Sequence, residues 1–583
     1  TPADPRPRRR SMQPAGRAVV PRPMRPPRAL ARLVPITCAL LACAHPVPPA
    51  RPAPPPAPVA TPTPPPPTAP VSPWAAVPVR VMTWTSRGSR ELGRLPGALP
   101  QPLPEHWYVE PIGALDEAGL ATLVDVVRRE GVPGLSLRDR ACAAWLGALR
   151  DLPALRALVL DGTDVDGDAL ARVELTLQRL YLAHTAIDDA AVIALAARHP
   201  DLEILDVEDT TVGDRGARAL ASGLRQLRAL DLAATQVTDD GGAALGQLTH
   251  LEIVDLGETG VGARTIAALR GLPLHDVFLD HTRVGAEITT LAPLAPRLTR
   301  FDVSAVPHRP TDAELAWLVN ARGLIELGVS GARLHDPLAR RLIALPGLRT
   351  LRLADTAITL DVIRGIAALS DLEAIDLART PVDDATAAAI LARPSLRLVR
   401  LDATPITDAA LAGTISAALE GLYLSDTAVT DRGLAILDGL VEHLEALGLG
   451  HTAIGAPTLA RIARLSALHT LVLSHVRAPR EAFAQLGALA GLERLYLDGT
   501  RADDDTLAAL APARGGLRIL HLASSSITEA GLPALRALTR LEELTLGDTA
   551  LPQGLPELTA WPRLRTLSLT GLAVGDPALP AIA

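Results

Sequence analysis

From Leu155 onward the chain repeats one line of apolar and polar positions, L-x-x-L-x-L-x-x-T-x-[IV], about eighteen times at a spacing of roughly two dozen residues. It reads Leu155-Arg156-Ala157-Leu158-Val159-Leu160-Asp161-Gly162-Thr163 at its start and is still legible at Leu564–Leu572. The L-x-L step alternates, as a short strand must, so Leu158 and Leu160 point inward while Ala157, Val159 and Asp161 face out. After the ninth position comes Thr or Asp, often a further Asp, and then Ala/Leu periodicity, which predicts a short helix on the opposite side. Thr407 and Thr430 suit its N-cap, and an Asp after them favours the positive end of the helix dipole. One such unit cannot bury its own apolar side, but a stack of them can. The expected fold is therefore an α/β solenoid, a horseshoe with a parallel concave sheet and short convex helices. Eighteen strand steps would span an arc on the order of 85 Å along the inner rim.

The pattern divides the chain. Residues 135–583 form the solenoid, with Val132-Pro133-Gly134-Leu135-Ser136-Leu137 as a degenerate first strand. Residues 74–134 are not repeats and hold Trp74, Trp84, Trp107 and Tyr108. Asp116 to Glu130 has helical spacing, with Leu120, Leu123, Val124 and Val127 on one face and Asp116 as N-cap. A solenoid's first coil needs its open end covered, so this region reads as an N-terminal cap. Residues 43–73 are a Pro-rich linker, including Pro54-Pro55-Pro56 and Pro64-Pro65-Pro66-Pro67. Such a run forms extended polyproline II instead of packing. The repeat frays at Val306, where Pro307-His308-Arg309-Pro310 intervenes, and at Ala332 and Val476. The first of these interruptions is either a kink or a small protruding loop.

The ninth position carries Thr at 163, 185, 210, 235, 259, 282, 356, 380, 404, 427, 452, 500 and 549, with Ser at 525. In this the chain resembles leucine-rich-repeat proteins of the bacterial Thr type, L-x-x-L-x-L-x-x-T-x-[IV]-T-D-x-x-L. Thr404-Pro405-Ile406-Thr407-Asp408-Ala409-Ala410-Leu411 and Thr427-Ala428-Val429-Thr430-Asp431-Arg432-Gly433-Leu434 carry the likeness. Leucine-rich repeats usually place a buried Asn or Cys there, bonding the backbone of adjoining coils. The resemblance therefore implies a ladder of Thr hydroxyls serving backbone groups left over by the turn.

Residues 24–42 read as a signal peptide: Arg25, Arg28 and Arg32, an apolar stretch from Leu33 to Ala42, then Cys43. Ten apolar residues are too few to span a bilayer. The segment resembles a bacterial lipoprotein signal, Leu40-Leu41-Ala42-Cys43 being its lipobox. The resemblance implies lipidation at Cys43 and a membrane anchor in the cell envelope, with Ala44 favouring the outer membrane over the inner. Residues 1–23, Pro/Arg-rich and without an initiator Met, read as a gene-model extension or a disordered segment, Met24 being the expected start. A spurious lipobox would instead leave a cytoplasmic protein, an adaptor resembling F-box-type repeat effectors.

Charge narrows the partners. The chain carries 57 basic and 64 acidic residues, but its first 42 residues hold nine Arg and one Asp. Without them 48 basic and 63 acidic residues remain, a net −15. An acidic chain lacks the basic footprint nucleic acid needs and favours basic or neutral partners. Cys38, Cys43 and Cys142 make no disulfide framework, and Cys142 reads as a small buried hydrophobe. Nothing resembles a phosphate loop, a nucleophile elbow or a paired-carboxylate pocket, so no enzyme and no cofactor is expected.

The fifth position of each line points out from the strand. It runs Val159, Tyr181, Asp206, Asp231, Asp255, Phe278, Asp302, Gly328, Arg352, Asp376, Arg400, Tyr423, Gly448, Val472, Tyr496, His521, Thr545, Ser568. Asp206, Asp231 and Asp255 fall on consecutive strands, where like charges oppose one another. Glu208, Asp209 and Glu258 add to the field, and Tyr181 and Phe278 flank it with aromatic surface of the kind enriched in interfaces. The patch is a candidate docking site for a basic protein; a solvated acidic surface or a divalent cation site are its alternatives. His184, His281, His451 and His475 share the eighth position and read as solvated turn residues, with no metal site expected. The sequence thus describes a non-catalytic protein-interaction scaffold. A glycan-binding module, or a structural, self-associating envelope spacer, remain as alternatives.

Overall fold

The structure is a computed structural model describing residues 73–85, 88–99, 101–113, 115–551 and 560–572. The leader, the lipobox at Cys43 and the Pro-rich linker lie outside the described residues. Three strands come first: β1 (Val79–Thr85), β2 (Gly88–Leu95) and β3 (Trp107–Pro111). β1 pairs antiparallel with both β2 and β3. Helix α1 (Glu117–Glu130) follows, with the Asp116 carboxylate accepting from the Gly119 N–H at 2.8 Å as its N-cap. It ends at Gly131, whose φ of 64° terminates the helix in a left-handed turn. Leu120, Leu123, Val124, Val126 and Val127 are its buried face. The next strand, β4 (Gly134–Ser136), runs parallel to β3. An antiparallel cap thus hands over to parallel pairing.

From β4 to the strand Thr566–Ser568 there are nineteen parallel strands of three residues each, stacked without a break in one sheet. On the other side each coil through the one that begins with Ile519–His521 carries a short α or 3-10 helix. The core is a column of identical layers. In the coil that starts at Leu227, the side chains of Leu227, Leu230, Leu232 and Val237 are all fully buried. Leucines one, four and six and the aliphatic eleventh residue therefore fill the interior, and burial of each contributes about 1.5–3 kcal/mol. Among the described residues no helix is long and apolar enough to cross a membrane.

The eighth position is the hinge of each coil. It has positive φ at His184 (58°), Asp209 (50°), Ala234 (54°), Glu258 (57°), His281 (58°) and onward to Asp548 (53°). This left-handed kink turns the chain off the strand while its N–H still donates to the next coil: His184 to the Glu208 carbonyl and Asp209 to the Ala233 carbonyl, each at 2.9 Å. Asp, His and Gly recur here because they tolerate that conformation better than branched residues.

The threonines at position nine bond differently from the expected ladder. Each hydroxyl donates to the carbonyl three residues earlier in its own coil, as in Thr163 to Leu160 (2.6 Å), Thr210 to Val207 (2.7 Å) and Thr404 to Leu401 (2.6 Å). Coil-to-coil bonding falls instead to the aspartates of the convex side. Asp214 accepts from the N–H groups of Thr238 (2.7 Å) and Gly241 (3.0 Å) and from the Thr238 hydroxyl (2.8 Å), all in the following coil. Asp384 does the same for Thr407 (2.6 and 2.7 Å), and Asp408 for Thr430 (2.7 and 2.6 Å). The Thr-Asp pair is thus a chain of caps: Thr407 caps its own helix, receiving the Ala409 N–H, while the Asp satisfies the helix start of its neighbour.

Pro307–Pro310 is a protruding loop and does not break the sheet, since Asp302 pairs with Gly328 across it in regular parallel register.

Candidate interaction surface on the concave sheet

The pairing register runs Tyr181, Asp206, Asp231, Asp255, Phe278, Asp302, Gly328, Arg352, Asp376, Arg400, Tyr423, one residue per strand. The row of outward residues read from the fifth position is a physical row, with Asp206, Asp231 and Asp255 directly opposite one another. Each of these carboxylates also has a local task. Asp206 accepts from the Glu208 N–H (3.0 Å), Asp231 from the Ala233 N–H (2.8 Å) and Asp255 from the Gly257 N–H (2.9 Å). Asp302 and Asp376 hook their own chains in the same way. Aspartate at position five therefore stiffens the strand exit, which the sequence reading did not foresee. Asp206 is crowded. Burial, then the charges of Asp161 and Glu208, push its carboxyl well above the usual carboxylate range against the pull of the Glu208 N–H and His184.

The other candidate residues are placed less uniformly. Asp209 and Glu258 occupy the left-handed eighth position, on the edge where the chain leaves the sheet, and not the concave face itself. Asp209 binds the His184 ring at 2.9 Å. Burial opposes a charged imidazole at His184, but that hydrogen bond and the charges of Glu208, Asp209 and Asp161 raise its pKa to about 9. His184, half-exposed in its turn, is therefore a cation at neutral pH. Tyr181 and Phe278 are buried, at 4% and 7% exposure, where flanking contact surface was expected, and so are Asp231 (7%) and Asp255 (2%) of the acidic row. Tyr181 stacks on Trp84 of β1 (5.9 Å between centroids), and Trp84 lies against Tyr108 (4.4 Å). These rings share an apolar cluster with Ala157, Val159, Ile204, Ala229 and Ile253.

His451 and His475 stack at 4.2 Å. Burial, then the neighbouring His451, lowers the pKa of His475. Among the described residues one group, Glu258, Asp280 and His281, brings three ligand atoms within 4.8 Å of one another.

Position three was passed over in the sequence, and it carries a buried ion network. Arg300 reaches Asp276 (3.1 Å) and Glu326 (3.7 Å), and Arg352 reaches Glu326 (2.5 Å) and Asp302 (2.8 Å). Arg352 spans two strand steps to Asp302 because Gly328 lies between them. A Cβ at Gly328 would collide with the Asp302 carboxylate. Tabulating position three, Asp276-Arg300-Glu326, beside position five would have exposed the network. Further along, Arg400 lies over the Tyr423 ring (4.8 Å) and pairs with Asp402 (3.2 Å) and Asp376 (3.8 Å). Along this stretch each of Arg300, Arg352 and Arg400 lies between two carboxylates, which leaves both networks net negative.

The fold is a leucine-rich-repeat solenoid of the α/β class. A family model described as Leucine Rich repeat matches residues 198–221 and 224–246, the coils that hold Asp206 and Asp231. No curated protein matches the chain in sequence. Similar solved structures include an internalin of Listeria monocytogenes (16% identity, covering 69% of this chain and 88% of that one, TM-score 0.29). They also include the Arabidopsis receptor kinase HAESA ectodomain in complex with a peptide hormone ligand (15%, 74% and 78%, 0.35). Mouse RP105 in its complex with MD-1 is similar at 15% identity, covering 79% of this chain and 86% of that one, with a TM-score of 0.28.

Proposed function

We propose that the protein is a non-catalytic scaffold that binds another protein on its concave sheet, and that its acidic sector selects a basic surface. The observation that carries this reading is the row Asp206–Asp231–Asp255. Three carboxylates stand in one register on adjacent strands, each held by its own backbone hook. Fixed side chains on a rigid sheet lose little entropy on binding, and clustered like charge gives orientation and speed of encounter. The lipobox and Pro-rich linker support a lipid-anchored protein of the cell envelope, with Cys43 carrying the anchor and the linker holding the solenoid away from the membrane.

Crosslinking capture from an envelope extract tests the interaction, with Asp206→Asn/Asp231→Asn/Asp255→Asn as control. A partner retained by the wild type at low salt and lost from the triple variant is expected; identical profiles contradict the reading. Metabolic palmitate labelling tests the anchor separately. Label should enter the wild type and be absent from Cys43→Ser.

A further inference from the structure

The solenoid winds until its last coils meet its first. Arg565, just ahead of the strand Thr566–Ser568, donates to the main-chain carbonyls of His184 (2.7 Å) and Asp209 (3.1 Å) and pairs with the Asp209 carboxylate (3.2 Å). Arg563 donates to the Gly162 carbonyl (3.0 Å), and Arg540 to the Asp139 carbonyl (2.7 Å). Arg518 forms an ion pair with the Asp139 carboxylate. These partners are some 350 to 400 residues apart in the chain. Four arginines on the leading edge of three consecutive coils thus meet the trailing edge of the first four.

The acceptors share one conformation. Asp139, Gly162, His184 and Asp209 are the eighth residues of their coils, with φ of 60°, 63°, 58° and 50°. The left-handed turn brings each carbonyl to the rim, and stacking repeats it at the strand spacing of about 4.8 Å. A guanidinium is a flat fork with several N–H groups and can straddle two such oxygens. Arg309, in the protruding loop, does this elsewhere on the same rim. It donates to the eighth-position carbonyls of Gly331 (2.7 Å) and Asp355 (3.1 Å) and pairs with the Asp355 carboxylate (3.3 Å). Two unrelated arginines therefore read the same feature in the same way.

We propose that the trailing rim is an arginine-binding edge, and that its occupant over the first four coils is this chain's own C-terminal coils, latching the solenoid into a closed turn. The strand Ile519–His521 is the sixteenth after β4. At about 4.8 Å per step the inner rim of one turn is roughly 77 Å around. The concave face then lines a bore, and the partner proposed above reaches it as a narrow basic segment. The latch also gathers like charges. Burial, and behind it Arg540, Arg563 and Arg138, lower the pKa of Arg518 against the pull of Glu542.

Small-angle scattering with light scattering on the full chain tests the latch. The wild type should be a compact monomer, and Arg540→Glu/Arg565→Glu should shift to a larger radius of gyration and maximum dimension at unchanged far-ultraviolet circular dichroism. Arg536→Glu, outside the latch, should leave both values as in the wild type. A second measurement covers a variant that fails to fold. In a Cys38→Ser/Cys43→Ser background, Asp209→Cys/Arg565→Cys should be bridged by a short bismaleimide at monomer mass. Equal dimensions for wild type and double variant, or bridging only at dimer mass, would overturn the proposal; dimer-mass bridging would mean that the rim takes the arginines of a second copy.

Discussion

Asp206 and Asp214 lie eight residues apart in one coil, and Asp231 and Asp239 repeat the arrangement in the next. The convex pair accepts hydrogen bonds from the following coil. Burial would raise the Asp239 pKa, yet N–H bonds from Arg264, Thr265 and Gly262 and the Thr265 hydroxyl hold it down to about 2. Asp214 is lowered in the same way, its burial outweighed by Thr238 and Gly241. On the concave side the balance reverses, and burial with Asp161 and Glu208 raises Asp206. The same residue type at the same period is thus relieved by hydrogen bonds at Asp214 and Asp239, while Asp206 is crowded by burial and like charge.

The largest effect is expected from Asp239→Asn. An amide cannot accept at both oxygens, so an NH2 group would face the Arg264 N–H that Asp239 now receives at 3.0 Å. A loss of about 2 kcal/mol follows for charge-assisted bonds of this kind, measurable as a lower urea midpoint. Acid should act along the same line. A carboxyl depressed to about 2 contributes stability that is complete above its unfolded value of about 4 and is lost as pH falls toward 2. Asp206 has the opposite sign, its raised pKa favouring the fold at low pH and opposing it as pH rises through the folded value. Asp239→Asn should therefore flatten the acid limb of a stability–pH curve, and Asp206→Asn should leave that limb in place.

Gly328→Ala should cost about 1–3 kcal/mol by forcing the Asp302 carboxylate off Arg352, and Gly328→Ala in an Asp302→Ala background should cost less. At position nine, Thr235→Val removes a buried hydroxyl bond to Leu232 (2.5 Å) and should cost about 1 kcal/mol. Ser525→Ala should change almost nothing, because the buried Ser525 hydroxyl has no hydrogen-bond partner. Equal losses at the two positions would mean that the hydroxyl bond is not what selects Thr.

The leucine line exposes the strands, the inward layer and the outward row, because burial alternates residue by residue and leaves its mark in every coil. It is silent on what depends on geometry between coils. The left-handed eighth position is hidden because Asp and His each fill it at least as often as Gly. Position three held its ion network in plain view, but Asp276, Arg300 and Glu326 look unremarkable one coil at a time. The acidic row was legible as a row, whereas the backbone hooks that fix Asp206, Asp231 and Asp255 were not, since a single Asp says nothing about the N–H two residues on. The cap over Tyr181 and the meeting of Arg565 with Asp209 arise from curvature summed over many coils, which no single repeat encodes.

Urea unfolding at neutral pH of two double variants, Asp206→Asn/Asp231→Asn and Asp214→Asn/Asp239→Asn, tests the division between the faces most directly. An amide oxygen still serves the Glu208 and Ala233 N–H hooks, so the concave pair should match or exceed the wild-type midpoint, while the convex pair should fall well below it. A concave pair that loses as much as the convex one would show that both sets of aspartates serve the fold, and would leave the acidic row without its claim to a partner.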